Sequence, residues 1–271
     1  MNVEEKGYSY ENMTKRTAML VGTEAVERLK NSHVAVFGIG GVGGYAVEAL
    51  ARSGVGALTL FDNDVVSESN INRQIIALYS SVGRYKTEAM RDRILDINPE
   101  AEVFINNVFY LPENADEFDL SEYDYIIDAV DTVSAKIEII TRAYRAGIPV
   151  ISAMGAGNKL DPSKLEVTDI YNTRECPLAR VMRRELRKRG VERLKVVYST
   201  EKARRPLPLC EKDDGGLKPV PGSVAFVPSV AGLMLAAEAL RILSAFELAD
   251  RTFCDLTRQN IYMADEYFYI S

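Results

Sequence analysis

Residues 33–74 read HVAVFGIGGVGGYAVEALARSGVGALTLFDNDVVSESNINRQ, and the fold follows from how this stretch divides. Val34 to Phe37 is an apolar run without polar interruption, the pattern of a strand buried on both faces of a parallel sheet. Gly38, Gly40, Gly41 and Gly43 follow at once, in a turn whose backbone can approach a phosphate closely. Gly44 to Ser53 then carries apolar residues at helical spacing, so its first turn directs free N–H groups at that anion. A second strand, Ala57 to Phe61, ends in Asp62, about 20 residues past the glycines, where a carboxylate can accept from the hydroxyls of a ribose. Strand, glycine loop, helix and acidic strand end predict a nucleotide site; a tight strand-to-helix turn with no ligand is the other reading of the same glycines.

What separates ATP from a dinucleotide is the run after Asp62, Asn63-Asp64 and then Ser67 to Gln74. Backbone amides alone hold a dinucleotide's pyrophosphate, whereas a triphosphate being cleaved calls for side-chain cations and a metal. Arg73 and Lys86 supply the cations. Lys86 opens a helix running to Ile97 and stopped by Asn98-Pro99. A lysine there opposes the helix dipole, so its placement needs another reason: a neighbouring phosphate is one, plain solvation the other. Strands follow at Glu102 to Asn106 and Tyr125 to Asp128, and Asp128-Ala129-Val130-Asp131 lies at the carboxyl edge of the sheet, where ligands bind in open α/β folds. A helix from Ala135 to Ala146, stopped by Gly147, and a strand from Ile148 to Ser152 complete the core. Nicotinamide chemistry is disfavoured, since the one histidine, His33, sits at the edge of the first strand, where its expected role is structural.

At 271 residues and 47% hydrophobic content the chain can bury a substantial core. The expected organisation is one domain, 1–271, with a nucleotide-binding core at 14–152, an insert and crossover at 153–227, and a C-terminal helix and tail at 228–271. Cys176, Cys210 and Cys254 include no CxxC pair, which argues against a disulfide framework and against a two-CxxC zinc site. The N-terminus lacks an apolar segment of signal-peptide length, and the most apolar stretch, Val224 to Leu243, is broken by Pro228, Glu238 and Arg241. A soluble, cytoplasmic protein with no membrane segment is expected. Thr14 to Leu29 reads as helical with a break at Gly22, and carries Arg16.

The net charge is −6, yet the window after Asp169 gathers Arg174, Arg180, Arg183, Arg184, Arg187, Lys188, Arg204 and Arg205 with few acids. Cys176 opens a helix to Arg189 with Leu178, Val181 or Met182 and Leu186 inward. A charge run is ordinarily a solvated helix face. Concentrated in an acidic chain and joined by Arg204-Arg205, it favours a phosphate-binding surface for RNA. Ser152 to Asn158 is a small-residue loop that either leaves space for an acceptor or packs closely on the first helix. Residues 215–227, rich in Gly and Pro, are a candidate lid. Phe226 and Ser229 occupy the segment leading into the last helix, so no nucleophilic cysteine is assigned there, and the three thiols read as structural.

Taken in order, GxGGxG (38–43), DxD (62–64), SNxxRQ (69–74), Lys86 and DxxD (128–131) resemble the ubiquitin-activating, or E1-like, superfamily over most of the chain. The resemblance implies an α/β, Rossmann-like doubly wound and mostly parallel sheet with an N-terminal helical segment and a basic C-terminal insert and helix. It implies ATP bound by Gly38, Gly40, Gly41, Gly43, Asp62, Asp64, Asn70, Arg73, Gln74 and Lys86, with Mg²⁺ on Asp131 and Asp128 orienting the loop. Arg16, in an RTxxLxG-like opening, would reach the triphosphate, commonly in a partner subunit's site, and a homodimer is expected. CPLARxxRRELRKRG (176–190) resembles the superfamily's tRNA-modifying branch, the tRNA threonylcarbamoyladenosine dehydratases. That branch implies ATP-dependent cyclisation of N6-threonylcarbamoyladenosine at position 37 of tRNA, with Arg73, Lys86, Asp131 and Arg16 catalytic. Two rivals stand beside it. One adenylates the C-terminal glycine of a ubiquitin-like sulfur carrier; the other is a nucleotide-binding regulatory protein without catalysis. A sulfur-transfer partner is left open.

Overall fold

The computed structural model describes residues 8–207 and 221–245. Its centre is the apolar run of the first strand, β1 (His33–Phe37), which pairs in parallel with β2 (Ala57–Phe61) on one side and β4 (Tyr125–Asp128) on the other. Side chains alternate across a strand, so Val34 and Val36 enter one core layer while Ala35 and Phe37 enter the opposite one. All four are fully buried, which explains why the run carries no polar residue. β3 (Glu102–Asn106) adds parallel to β2, β5 (Val150–Ala153) to β4, and β7 (Lys195–Ser199) to β5. β6 (Leu165–Asp169) closes that edge antiparallel to β7. The order β3-β2-β1-β4-β5-β7-β6 reverses direction between β1 and β4, and a cleft opens at the carboxyl ends of the strands there.

Two helices precede the sheet, α1 (Tyr10–Val21) and α2 (Thr23–Lys30), separated at Gly22, whose φ of 91° an L side chain rarely adopts. α1 begins before the expected Thr14 because Ser9 caps it, its side chain accepting from the Asn12 N–H. The Tyr10 hydroxyl donates to Gly54 O at 2.7 Å, which anchors α1 beside the start of β2, at the sheet edge opposite the cleft. α3 (Gly43–Arg52), α4 (Lys86–Ile97) and α7 (Phe226–Leu243) cover the Val34/Val36 face. α5 (Val133–Ala146) covers the Ala35/Phe37 face. It starts two residues earlier than the sequence suggests, directly after Thr132. α6 (Pro177–Arg187) packs Ala179, Met182 and Leu186 against Ile140 of α5 and Val196 of β7.

α7 is apolar and long enough to span a bilayer, but one face is committed to the protein interior, with Val227, Leu235, Ala236 and Ala239 buried. Burying such side chains contributes about 1.5–3 kcal/mol each for the larger ones. The charges that interrupt its sequence pair with each other and with the sheet: Arg241 reaches Glu238 at 2.7 Å, and Lys195 of β7 also pairs with Glu238. Gly232 lies where α7 crosses the start of α3, and a side-chain carbon there would meet Val42 O at 2.1 Å. β6 and β7 were not anticipated; both come from the segment expected to form only the insert. Cys210, Cys254 and the aromatic tail Tyr267 to Ile270 lie outside the described residues, as do residues 215–220 of the candidate lid.

Candidate functional site

The cleft encloses about 600 Å³ and is lined by the ends of β1, β2 and β4 and by the segments that follow them. A shallow depression of similar volume between α2 and the end of α7 collects Glu24, Glu27, Arg28 and Asp124. Volume therefore does not choose between them; the convergence of a glycine loop, cations and carboxylates does.

The glycines divide into two kinds. A side-chain carbon at Gly43 would fall 1.8 Å from Gly38 O, and one at Gly38, where φ is 87°, would fall 2.8 Å from Ala129 O. These two are required by the loop's own packing. At Gly40 the nearest atom would be the Gln74 amide nitrogen at 3.9 Å, so that position leaves room for a ligand instead. α3 begins at the loop without a side-chain cap, which leaves its first N–H groups to an anion.

Asp62 ends β2 beneath this loop. Its two oxygens accept from Ile39 N at 2.6 Å and Asp64 N at 2.9 Å, so it braces the turn as well as facing the cleft. Burial pushes its carboxyl above the ordinary range, opposed by the nearby Lys86 ammonium. A short antiparallel strap, in which Val66 N donates to Arg84 O and Lys86 N to Asp64 O, carries Lys86 to the cleft. Lys86 is only 6% exposed, 2.5 Å from Asp64 and 3.7 Å from Asp62. The reason for a lysine at a helix N-terminus is thus already present in the chain: two carboxylates hold it.

The turn at 68–70 presents the remaining polar groups. Asn70 caps it through Ser67, and its carbonyl accepts from Arg73 N and Gln74 N, so Asn70 holds the two residues after it as well as lining the cleft. The Arg73 guanidinium donates to Ser69 O at 2.7 Å and to the Asn72 side chain at 2.9 Å. Gln74 is 7% exposed, lines the cleft, and its side-chain oxygen is buried without a hydrogen-bond partner. Unpartnered buried acceptors are rare in folded proteins, and the amide nitrogen of the same side chain is the atom nearest Gly40. Asp131 follows β4 into the cleft and is exposed. Asp128 is fully buried and pairs with Lys136 of α5, a residue that the sequence reading passed over. It was legible: positions 136, 140 and 143 share one helical stripe, and all three are buried.

In the small-residue loop, Ala156 and Gly157 line the cleft. The loop is bound to the segment at its far wall, Asn158 N donating to Gly222 O and Gly222 N to the Asn158 side chain, each at 2.7 Å. Asn72 also reaches that wall, at Ser223 O. Lys159 is buried behind it, donating to Ser199 O and Glu201 O, with its ammonium pushed below the ordinary range by burial. Cys176 is buried and its sulfur accepts from Ala179 N as the cap of α6. His33 bonds Thr59 at 2.8 Å and packs edge-on against Tyr123.

Two sets of expected site residues stand apart from the cleft. Arg16 is exposed on α1 and does not line it. The basic residues form a separate face on α6 and its flanks, and they are not equivalent. Arg174, Arg180 and Arg205 are exposed; Arg187 lies over the Tyr171 ring at 4.8 Å. Arg183 donates to the Thr173 carbonyl at 3.0 Å and also to its hydroxyl. Arg204 pairs with Glu201. Glu185 gathers Arg184, Lys188 and Arg189, whose hydrogen bonds pull its carboxyl down to about 2.

Comparison with known proteins agrees with this arrangement. The model of the ThiF family matches residues 14–265. A tRNA threonylcarbamoyladenosine dehydratase of Bacillus subtilis is 45% identical over 228 residues, spanning 81% of this chain and 90% of that protein. Solved structures of the E. coli tRNA N6-threonylcarbamoyladenosine dehydratase in complex with ATP and with AMP each superpose with a TM-score of 0.77 at 36% identity, covering 87% of this chain and 95% of theirs. In sequence and in fold, the chain belongs to the ThiF family and groups within it with the tRNA threonylcarbamoyladenosine dehydratases.

Proposed function

We propose that this chain is an ATP-dependent dehydratase that cyclises N6-threonylcarbamoyladenosine in tRNA. The observation that carries the reading is the convergence of the Gly38–Gly43 loop, Asp62, Arg73, Lys86 and Asp131 on one cleft, in a chain so similar to enzymes of that name. The cleft suits a nucleoside triphosphate: a glycine backbone open at Gly40, two cations and an unpartnered acceptor at Gln74. The threonyl carboxylate attacks the α-phosphorus and pyrophosphate departs, giving an acyl adenylate. A nitrogen of the same side chain then attacks the activated carbonyl and AMP leaves with the former carboxylate oxygen. The net result is loss of one water from the nucleoside. Arg73 and Lys86 stabilise the departing charge, which is the demanding part of such a step. Because ring closure is intramolecular, positioning suffices and no covalent cysteine is needed.

Asp131 is the residue that would hold Mg²⁺, an ion for which a single carboxylate completed by water and phosphate oxygens is chemically sufficient. Bound there, the ion would neutralise charge on the triphosphate. In our reading the acceptor adenosine is position 37 of the anticodon loop and enters past Ala156 and Gly157, while the α6 face holds tRNA phosphates. Arg16, remote from its own cleft, would serve the cleft of a second copy in a homodimer, and the protein works in the cytoplasm.

The test is to incubate the protein with ATP, Mg²⁺ and tRNA bearing threonylcarbamoyladenosine, digest the tRNA, and weigh the nucleosides. A nucleoside lighter by one water, lost in Arg73→Ala and Asp131→Ala, supports the reading. No such product, with pyrophosphate released instead in the presence of a small protein ending in Gly-Gly, moves the assignment to carrier adenylation. No pyrophosphate with either substrate leaves a regulatory protein.

A further inference from the structure

Below the cleft lies an ion pair that the mechanism above does not use. Lys136 Nζ sits 2.9 Å from Asp128 Oδ2, and both side chains are fully excluded from solvent. Removing two charges from water is costly, and a buried pair often adds no net stability over apolar residues of the same size. Its geometry therefore carries the explanation. Lys136 Nζ donates to Val130 O at 3.0 Å, and Asp128 Oδ1 accepts from Val130 N at 3.3 Å. Both backbone polar atoms of the residue before Asp131 are thus held by the two members of the pair. The remaining partner is Ser152, whose hydroxyl donates to Asp128 Oδ2 at 2.6 Å from the end of β5, where the small-residue loop begins. Ala129, between them, rests on the glycine loop, close enough to exclude a side chain at Gly38.

We propose that Lys136, with Asp128 and Ser152, is a positioning group that fixes the Val130–Asp131 turn for the metal ion of the nucleotide and keeps it in register with the acceptor loop. The proposal rests on the reading that Mg²⁺ and ATP occupy the cleft. None of the three residues lines the cleft, so their effect is exerted through Asp131. Carboxylates and amines that orient metal-binding groups from behind typically govern metal affinity by about 10–100-fold.

The test uses the full chain and two readouts besides turnover: ATP binding by calorimetry without Mg²⁺, and the Mg²⁺ concentration that half-saturates the ATP complex. Lys136→Met alone strands a buried carboxylate, so the Asp128→Asn/Lys136→Met double variant, which leaves no unpaired charge, is the decisive protein. It should bind ATP without Mg²⁺ within about threefold of wild type while needing about tenfold more Mg²⁺. Ser152→Ala should shift the Mg²⁺ requirement in the same direction by a smaller factor. Unchanged Mg²⁺ requirement in both proteins overturns the proposal, as does equal loss of ATP binding with and without Mg²⁺, which would mark a general structural role. Wild-type ATP binding that ignores Mg²⁺ would remove the reading of the site itself, and the inference with it.

Discussion

The nucleotide cleft and the basic face of α6 both depend on cations, yet they handle them in opposite ways. In the cleft, Lys86 is nearly excluded from water and fixed between Asp62 and Asp64 before any ligand arrives. On α6 and its flanks, Arg174 and Arg180 lie in solvent, and Arg184, Lys188 and Arg189 share one acid at separations of 3.0 to 3.1 Å. A buried cation acts at close range and little screened; an exposed one acts through the summed field of its neighbours and fades with salt. Under the proposed function the difference places chemistry and adhesion on separate parts of the molecule, so they should fail separately.

The sharpest way to break this comparison is Lys86→Ala. Loss of a preorganised cation at a departing pyrophosphate should lower the adenylation rate by about 10²–10³, read by exchange of labelled pyrophosphate into ATP, with tRNA affinity unchanged. If tRNA binding falls in parallel, the two regions are not separate. Next come the two kinds of glycine. Gly43→Ala should cost about 1–3 kcal/mol in thermal unfolding, because the new carbon collides with Gly38 O. Gly40→Ala should unfold like wild type but bind ATP more weakly in a filter assay.

On α6 the contrast is within the face itself. Arg180→Ala should reduce the salt slope of tRNA binding by about one, with ATP binding intact. Arg183→Ala should lower the melting temperature instead, since its guanidinium ties α6 to Thr173. The smallest effect is expected from Glu185. Its folded pKa lies near 2 against an ordinary 4.5, so the stabilisation it brings is present above pH 4.5 and is lost as pH falls through that window. Glu185→Gln should lower the melting temperature slightly at neutral pH, where that stabilisation is present, and flatten the melting profile between those two values.

Much of this arrangement was legible before the structure. β2, β3, β4 and α4 occupy the spans that their apolar runs and the Asn98-Pro99 stop indicate. β1 differs by one residue and β5 begins at Val150, just after Pro149. What the sequence hid has physical causes. β6 is half-exposed at the sheet edge and shows few apolar residues, and β7, with Val196, Val197 and Tyr198, is short and lies amid charges that drew attention to the surface. Lys136 shares a helical stripe with Ile140 and Ala143, but its pairing with Asp128 emerges only when β4 is laid beside it. The same limit applies to Lys86, whose type was predicted from chemistry while its partners, two acids more than twenty residues away in the chain, emerge only from the strap that folds 64–66 against 83–86.

The contact between Gly232 and the Val42 carbonyl joins points far apart in the order of synthesis. A chain emerging from a ribosome presents its glycine loop early, with every strand up to β5 soon after it, yet the helix against which that loop is seated is made last among the described elements. Until α7 is released, the start of α3 has no wall on one side, and the apolar residues destined to meet it stay wet. Until α7 follows, the nascent protein is therefore open to aggregation, and its glycine loop gains its last wall only then.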